Sequence, residues 1–232
     1  MNSHETCYRP AAVSELDEQS RGTFVSRTYS HLFGAITAFT LIEILLFKSG
    51  VAEPMARAML STSWLLVLGG FVIVSWLAGH IAHTAGSKAM QYAALSGFVV
   101  AQAIIFVPML WLANEFAPGA ITSAAAVTFL GFTGLSLVAF ITRKDFSFLR
   151  GILMWGMVVA LVLIVAGVAF GFALGTYFSV GMVALAGAAI LYDTSNILHH
   201  YPQDRYVGAA LSLFASVALM FWYVLRLFLS RR

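Results

Sequence analysis

Seven long apolar segments constrain the fold of this 232-residue chain more than any other feature of its sequence. A helix needs about 20 mostly apolar residues to cross the hydrocarbon core of a bilayer. Segments of that kind lie at residues 29–47, 63–83, 89–112, 119–141, 149–170, 175–197 and 207–229. The sequence therefore predicts an all-α polytopic membrane protein with seven transmembrane helices.

The composition agrees with a membrane protein and excludes several other classes. Charged residues make up 10% of the chain and hydrophobic residues 60%, whereas soluble domains carry about 25% charged residues. The 13 lysines and arginines are spread along the chain, so they do not predict a nucleic-acid partner. We expect the lipid bilayer to surround most of the protein, and we exclude a soluble enzyme and a disordered chain.

The N-terminal region is polar, and the basic residues predict its side of the membrane. Residues 1–27 contain little apolar sequence and no signal-peptide pattern. We expect 1–27 to be a soluble, flexible cytoplasmic tail, followed by a transmembrane domain at 28–232. With the N-terminus inside, eight basic residues lie on the cytoplasmic side and five outside, including Arg231 and Arg232. The single cysteine, Cys7, excludes a disulfide framework.

Ionisable side chains inside a bilayer are candidates for functional sites because they are costly to bury. Asp193 lies in the inner third of the sixth segment, within the polar run 192–196. Its carboxyl group either finds a hydrogen-bond donor inside the bundle, or lies at a helix end that emerges into cytoplasmic water. The sequence alone leaves both interpretations open.

Two further pairs of polar residues lie within the predicted segments. Glu43 is in the outer third of the first segment, so it either extends to the membrane surface or pairs with Arg226 of the seventh. His80 and His83 are spaced i, i+3 and share one helix face, a spacing that supplies half of a metal site. No carboxylate or thiol lies nearby in sequence, which favours interfacial packing of the two imidazoles.

Motifs of known enzymes are mostly absent from the sequence. It has no HExxH, GxSxG or Walker A pattern. The segment 207–229 contains no lysine that could form a retinal Schiff base. We therefore expect no enzymatic activity, no cofactor and no resident metal.

Four stretches carry a resemblance to a known family. They are 106–108 (Phe-Val-Pro), which we expect to break the third segment, 142–149 (Thr-Arg-Lys-Asp-Phe-Ser-Phe-Leu), 191–199 (Leu-Tyr-Asp-Thr-Ser-Asn-Ile-Leu-His) and 210–214 (Ala-Leu-Ser-Leu-Phe). In this order and spacing they resemble the Bax inhibitor family, and specifically its bacterial YccA-like branch, over about residues 20–230. The resemblance implies a bundle in which a central seventh helix is wrapped by the other six.

The resemblance also implies a pH-sensing pair of side chains. Some members resemble pH-gated calcium leak pathways, with two aspartates in contact between helices six and seven. Asp193 matches the first aspartate, but Ser216 occupies the position of the second. A hydroxyl group cannot share a proton with Asp193 as a second carboxylate would, which disfavours a leak of calcium or protons.

The YccA-like branch implies a different function, modulation of the membrane-anchored AAA protease FtsH. Its signature after the acidic position is matched by residues 194–197 (Thr-Ser-Asn-Ile). A tail such as 1–27 is a segment that this protease could grip. The first hypothesis is therefore a bacterial inner-membrane protein that regulates FtsH in a substrate-like way, and the alternative is a pH-sensitive calcium or proton leak pathway.

Overall fold

The computed structural model describes residues 12–230, and these form eight α-helices without a β-strand. The helices are α1 (Glu18–Lys48), α2 (Ala52–Ser61), α3 (Trp64–Thr84), α4 (Lys88–Phe116), α5 (Ala120–Thr142), α6 (Leu149–Phe170), α7 (Thr176–His199) and α8 (Tyr206–Ser230). All except the short α2 are long and apolar enough to cross a membrane. The prediction of an all-α protein with seven spanning helices is confirmed.

The first helix begins eleven residues earlier than the hydropathy pattern predicts. The side chain of Asp17 accepts a hydrogen bond from the backbone N–H of Ser20 at 3.0 Å, which starts α1 at Glu18. The side chain of Ser20 and then its backbone N–H lower the pKa of Asp17. Val13 and Phe24 are buried in the core. Residues 18–27 are therefore helical, whereas Cys7 and Arg9 lie outside the described residues.

The sequence pattern interprets Pro108 as a break, yet this proline lies inside a helix. Pro108 does not break the third spanning segment, because α4 runs continuously from Lys88 to Phe116. A spanning helix tolerates proline where neighbouring helices surround it, and Val107 beside it is fully buried. Pro54 lies in the first turn of α2, where its missing N–H has no helical partner to lose.

The last helix, α8, lies at the centre of the bundle. It packs against α1, α3, α4, α5 and α7, whereas α6 lies at the periphery against α7 and α3. Close packing of α8 on α3 requires a glycine, because a Cβ atom on Gly208 would lie 2.8 Å from the carbonyl oxygen of Ala82. The predicted central position of the seventh spanning helix is confirmed, but five of the other spanning helices contact it and not all six.

The bundle has two ends, which we call the N-terminal face and the opposite face. The N-terminal face holds the start of α1 and the connections 85–87, 143–148 and 200–205. The opposite face holds α2, the α5 N-terminus and the short connection 171–175 between α6 and α7. The residues Arg231 and Arg232, predicted to lie outside the cell, are not among the described residues.

Candidate functional site

A hydrogen bond between two buried side chains joins α7 to α8. The hydroxyl of Ser216 donates to Oδ2 of Asp193 at 2.6 Å. Both residues are 8% exposed. The structure thus brings together the two residues that the resemblance pairs, and the interpretation in which Asp193 is solvated at a helix end is wrong.

The run after Asp193 fixes the connection between α5 and α6. Ser195 is fully buried, and its hydroxyl accepts from the N–H of Phe146 at 2.9 Å and donates to the carbonyl of Lys144 at 3.4 Å. Asp145 accepts from the N–H of Ser147 at 2.8 Å and lies 3.0 Å from Nε2 of His200. These contacts lower the pKa of Asp145, with the Ser147 N–H as the largest cause. Two of the stretches that carry the family resemblance therefore contact each other.

A second polar layer lies one helical turn nearer the N-terminal face. The hydroxyl of Tyr201 donates to Oγ of Ser212 at 3.2 Å, and Nε2 of His83 lies 3.1 Å from the same oxygen. Burial raises the pKa of Tyr201, and the nearby Asp193 raises it further. This layer connects α3, α8 and the 200–205 connection, and it lies between the Asp193–Ser216 pair and the N-terminal face.

Three buried hydroxyl groups accompany the pair without a protein partner among the described residues. They belong to Tyr29, Ser136 and Thr194. Tyr29 faces Ser136, Thr194 and Asp193 from α1. Polar groups of this kind are usually satisfied by a partner or by water. Sequence reasoning missed Tyr29 and Ser136, since a single polar residue in an apolar segment does not indicate which helix it faces.

The structure does not bring Glu43 and Arg226 together. Nη2 of Arg226 donates to the carbonyl of Leu174 at 2.7 Å, and its guanidinium lies 5.9 Å from the centre of the Phe178 ring. Glu43 is 7% exposed, and neither of its carboxylate oxygens has a hydrogen-bond partner among residues 12–230. The predicted pair and the predicted extension to the surface are therefore both wrong.

The two histidines of α3 have separate contacts in spite of their spacing. His80 stacks on Trp76 with 5.7 Å between ring centres, whereas His83 contacts Ser212 in the second polar layer. Within residues 12–230 no three His, Cys, Asp or Glu side chains lie close enough to hold a metal ion. The described part of the chain therefore supplies no further ligands that would complete a metal site at His80 and His83.

A cavity of about 730 Å³ separates α6 from α8, and we call it the α6 cavity. Its walls include Met157 and Ile164 of α6 and Phe98 and Gln102 of α4, and it extends along α8 from Ser216 to Arg226. Ser216 of the Asp193–Ser216 pair therefore borders open space on the side of the opposite face. Towards the N-terminal face the pair is followed by the layer of Tyr201, Ser212 and His83.

Comparison with known proteins identifies the family. The family model described as "Inhibitor of apoptosis-promoting Bax1" matches residues 21–232, nearly the whole chain. The chain belongs to the Bax inhibitor family. Its membership agrees with the central α8 and with the contact between α7 and α8 at Asp193 and Ser216.

Individual relatives match about half of this Bax inhibitor family protein. An uncharacterized protein of Pseudomonas aeruginosa is 39% identical over 109 residues, 47% of this chain and 49% of the relative. The "Modulator of FtsH protease YccA" of Escherichia coli (strain K12) is 38% identical over 102 residues, 44% and 46% of the two chains. The "Inner membrane protein YccA" of Escherichia coli O6:H1 has the same identity and coverage. The matches span about half the length of these relatives.

Removal of the Ser216 hydroxyl tests the energetic importance of the pair. We expect Ser216→Ala to destabilise the protein by about 1–2 kcal/mol, the upper range for a hydrogen bond between membrane helices. Asp193 would lose its donor while staying buried, whereas Asp193→Asn keeps an acceptor for Ser216 and should cost less. Thermal unfolding in detergent measures both effects.

Ser75→Ala is the matched control for this prediction. The Ser75 hydroxyl also lies within a spanning helix, but it bonds to Phe71 of the same helix at 2.7 Å. Equal melting temperatures for Ser216→Ala and Ser75→Ala would contradict an interhelical role for the Ser216 hydroxyl.

Proposed function

We propose that this chain is an inner-membrane modulator of the FtsH protease that acts by binding and not by catalysis. The observation that carries the proposal is the similarity to the Escherichia coli protein named Modulator of FtsH protease YccA. The Asp193–Ser216 pair supports it over an ion leak, because a carboxyl and a hydroxyl group cannot divide one proton as two carboxylates do. The relative named Inner membrane protein YccA supports the location.

The distribution of basic residues supports a cytoplasmic N-terminal face. In the described part of the chain this face carries Arg21, Arg27, Lys88, Arg143, Lys144, Arg150 and Arg205. The opposite face carries Lys48, Arg57 and Arg226. Lysine and arginine are enriched on the cytoplasmic side of membrane proteins. The same face is the one that a protease acting from the cytoplasm would meet.

The first described residues of the chain are anchored to the bundle. The N–H of Val13 donates to the carbonyl of Tyr201 at 2.9 Å, and Nη2 of Arg21 donates to the carbonyl of Ser14 at 3.0 Å. Residues 1–11 come before these anchoring contacts. We propose that FtsH grips residues 1–11, and that the bundle behind them resists extraction and occupies the protease.

A leak pathway is the second candidate, and the α6 cavity is the observation that favours it. The cavity reaches Ser216, so the Asp193–Ser216 pair lies between open space and the layer of Tyr201 and Ser212. Opening of that layer would be needed for calcium or protons to pass. A single buried acid gives such a pathway a response to pH of one proton at most.

Cysteine labelling tests the orientation. In a Cys7→Ser background, we expect an impermeant maleimide to label Ala173→Cys on intact spheroplasts and Glu15→Cys only after permeabilisation. Both positions are exposed, and they lie at opposite ends of the bundle. Labelling of both from outside would contradict the proposed topology and the odd number of spans.

Deletion of residues 2–11 tests whether FtsH grips the N-terminal segment. We expect the deletion to leave the bundle folded, because the contacts of Val13 and Arg21 remain, and to slow turnover of the chain by FtsH. It should also abolish protection of a second FtsH substrate expressed in the same cells. Pulse-chase half-lives of both proteins measure these effects.

A matched control replaces residues 2–11 with a glycine-serine segment of equal length. We expect this variant to be degraded like the wild type, since it supplies the same length of chain to grip. Identical half-lives for all three forms in cells that contain FtsH would remove the proposed role of this segment. An unchanged half-life of the second substrate whether or not the wild-type chain is expressed would contradict modulation itself.

Ser216→Asp tests the leak. In liposomes loaded with a calcium dye, we expect weak and shallowly pH-dependent flux through the wild type. Ser216→Asp places two carboxylates in contact. Repulsion between them raises one apparent pKa of the pair, so flux should increase and depend on pH around that raised value. Ser216→Asn is the control of matched size without charge. Strong, steep flux in the wild type would favour the leak over the protease modulator.

A further inference from the structure

A second cavity, of about 490 Å³, lies on another side of α8, and we call it the α1–α5 cavity. Its walls come from α1, α4, α5 and α8, and eight of its lining residues are phenylalanines. No lysine, arginine or histidine of the described chain lines it. Its volume falls within the range of about 300–1,000 Å³ found for small-molecule sites.

The cavity opens sideways, between two helices that stay apart. No Cα atom of α1 lies within 8 Å of a Cα atom of α5 among the described residues. Towards the N-terminal face, the Tyr29 ring of α1 packs against Phe132 of α5, with 6.2 Å between ring centres, and closes the gap. Nearer the opposite face the side chains at the rim are exposed, with Ile44 at 45% and Phe129 at 57%. The gap therefore faces the lipid.

Two buried polar groups of this cavity lack a partner. Glu43 is 7% exposed and neither carboxylate oxygen has a hydrogen bond, and Thr128 is 4% exposed with an unpaired hydroxyl. Both residues line the cavity. An unsatisfied buried carboxyl group is far more costly than an apolar side chain at the same place. A ligand that brings a hydrogen-bond donor to Glu43 would remove that cost.

We infer that the α1–α5 cavity binds a lipophilic amine, which enters from the bilayer between α1 and α5 and donates its N–H groups to Glu43. An ammonium group has three donors, enough for both oxygens of the Glu43 carboxylate. An amine and a carboxyl group together carry no net charge, whichever of them holds the proton. This neutrality suits a site that no charged residue of the described chain lines other than Glu43.

The side chains that line the cavity favour an alkyl chain attached to the amine. Phenylalanine rings attract a cation at their faces and cover an alkyl chain equally well. An anionic amphiphile would meet the like charge of Glu43, and an alcohol offers only one donor to two acceptor oxygens. A single-chain alkyl amine therefore fits better than a fatty acid or a fatty alcohol.

Binding of dodecylamine to the full chain in phosphatidylcholine nanodiscs tests the inference, with dodecanol as the matched neutral ligand. Phosphatidylcholine carries no N–H donor, so the lipid itself cannot satisfy Glu43. Native mass spectrometry gives the affinities. We expect dodecylamine to bind the wild type about tenfold or more tightly than it binds Glu43→Gln, whereas dodecanol binds both alike.

Blocking the opening of the cavity is an independent test of the inference that leaves Glu43 unchanged. Ala125 lines the cavity and is exposed, so Ala125→Trp places an indole in the opening without entering the core. Ala126 is its exposed neighbour and does not line the cavity, which makes Ala126→Trp the matched control. We expect dodecylamine binding to weaken about tenfold or more in Ala125→Trp and to persist in Ala126→Trp.

Several results would overturn the inference. These are no binding of dodecylamine to the wild type, equal affinity for wild type and Glu43→Gln, equal affinity for dodecylamine and dodecanol, or equal loss in both tryptophan variants. The measurement needs neither FtsH nor calcium, so it stands or falls separately from the proposed function.

Discussion

Hydrogen bonds between polar side chains hold the contact between α7 and α8 together, because the hydrocarbon core of the bilayer supplies no hydrogen-bond partners. The arrangement of α7 and α8 follows from that constraint. Asp193 is satisfied by Ser216, Ser212 by Tyr201, and Ser195 by the backbone of the α5–α6 connection. Each bond joins different elements of the fold. The bonds of Ser216 and Ser212 fix the rotation of α8 about its axis, which apolar packing alone would define less sharply.

The spanning helices could be predicted because their signal depends only on a length of apolar sequence. The ends could not, because they depend on local contacts and on neighbours. Asp17 starts α1 through its hydrogen bond with Ser20, eleven residues before hydropathy rises. Pro108 stays inside α4 because neighbouring helices pack around it. Neither the start of α1 nor the continuity of α4 can be predicted from the hydropathy of a stretch of sequence.

The site was predicted where a motif supplied the partner and was missed where only position along a helix was available. The family resemblance paired Asp193 with Ser216 across α7 and α8, and their 2.6 Å hydrogen bond confirms the placement. Depth in the membrane suggested a pair between Glu43 and Arg226. Depth cannot tell on which side of the central helix a residue lies, and these two line different cavities.

The central helix α8 therefore separates two cavities that cannot be distinguished from the sequence. Val217 and Phe221 of α8 face the α1–α5 cavity, whereas Ser216 and Arg226 face the α6 cavity. Each cavity has a buried acid at or beside it. Asp193, beside the α6 cavity, accepts a hydrogen bond from Ser216 of the chain itself, which suits a rigid core. Glu43 of the α1–α5 cavity has no such partner among the described residues, so a hydrogen-bond donor carried by a ligand would stabilise it.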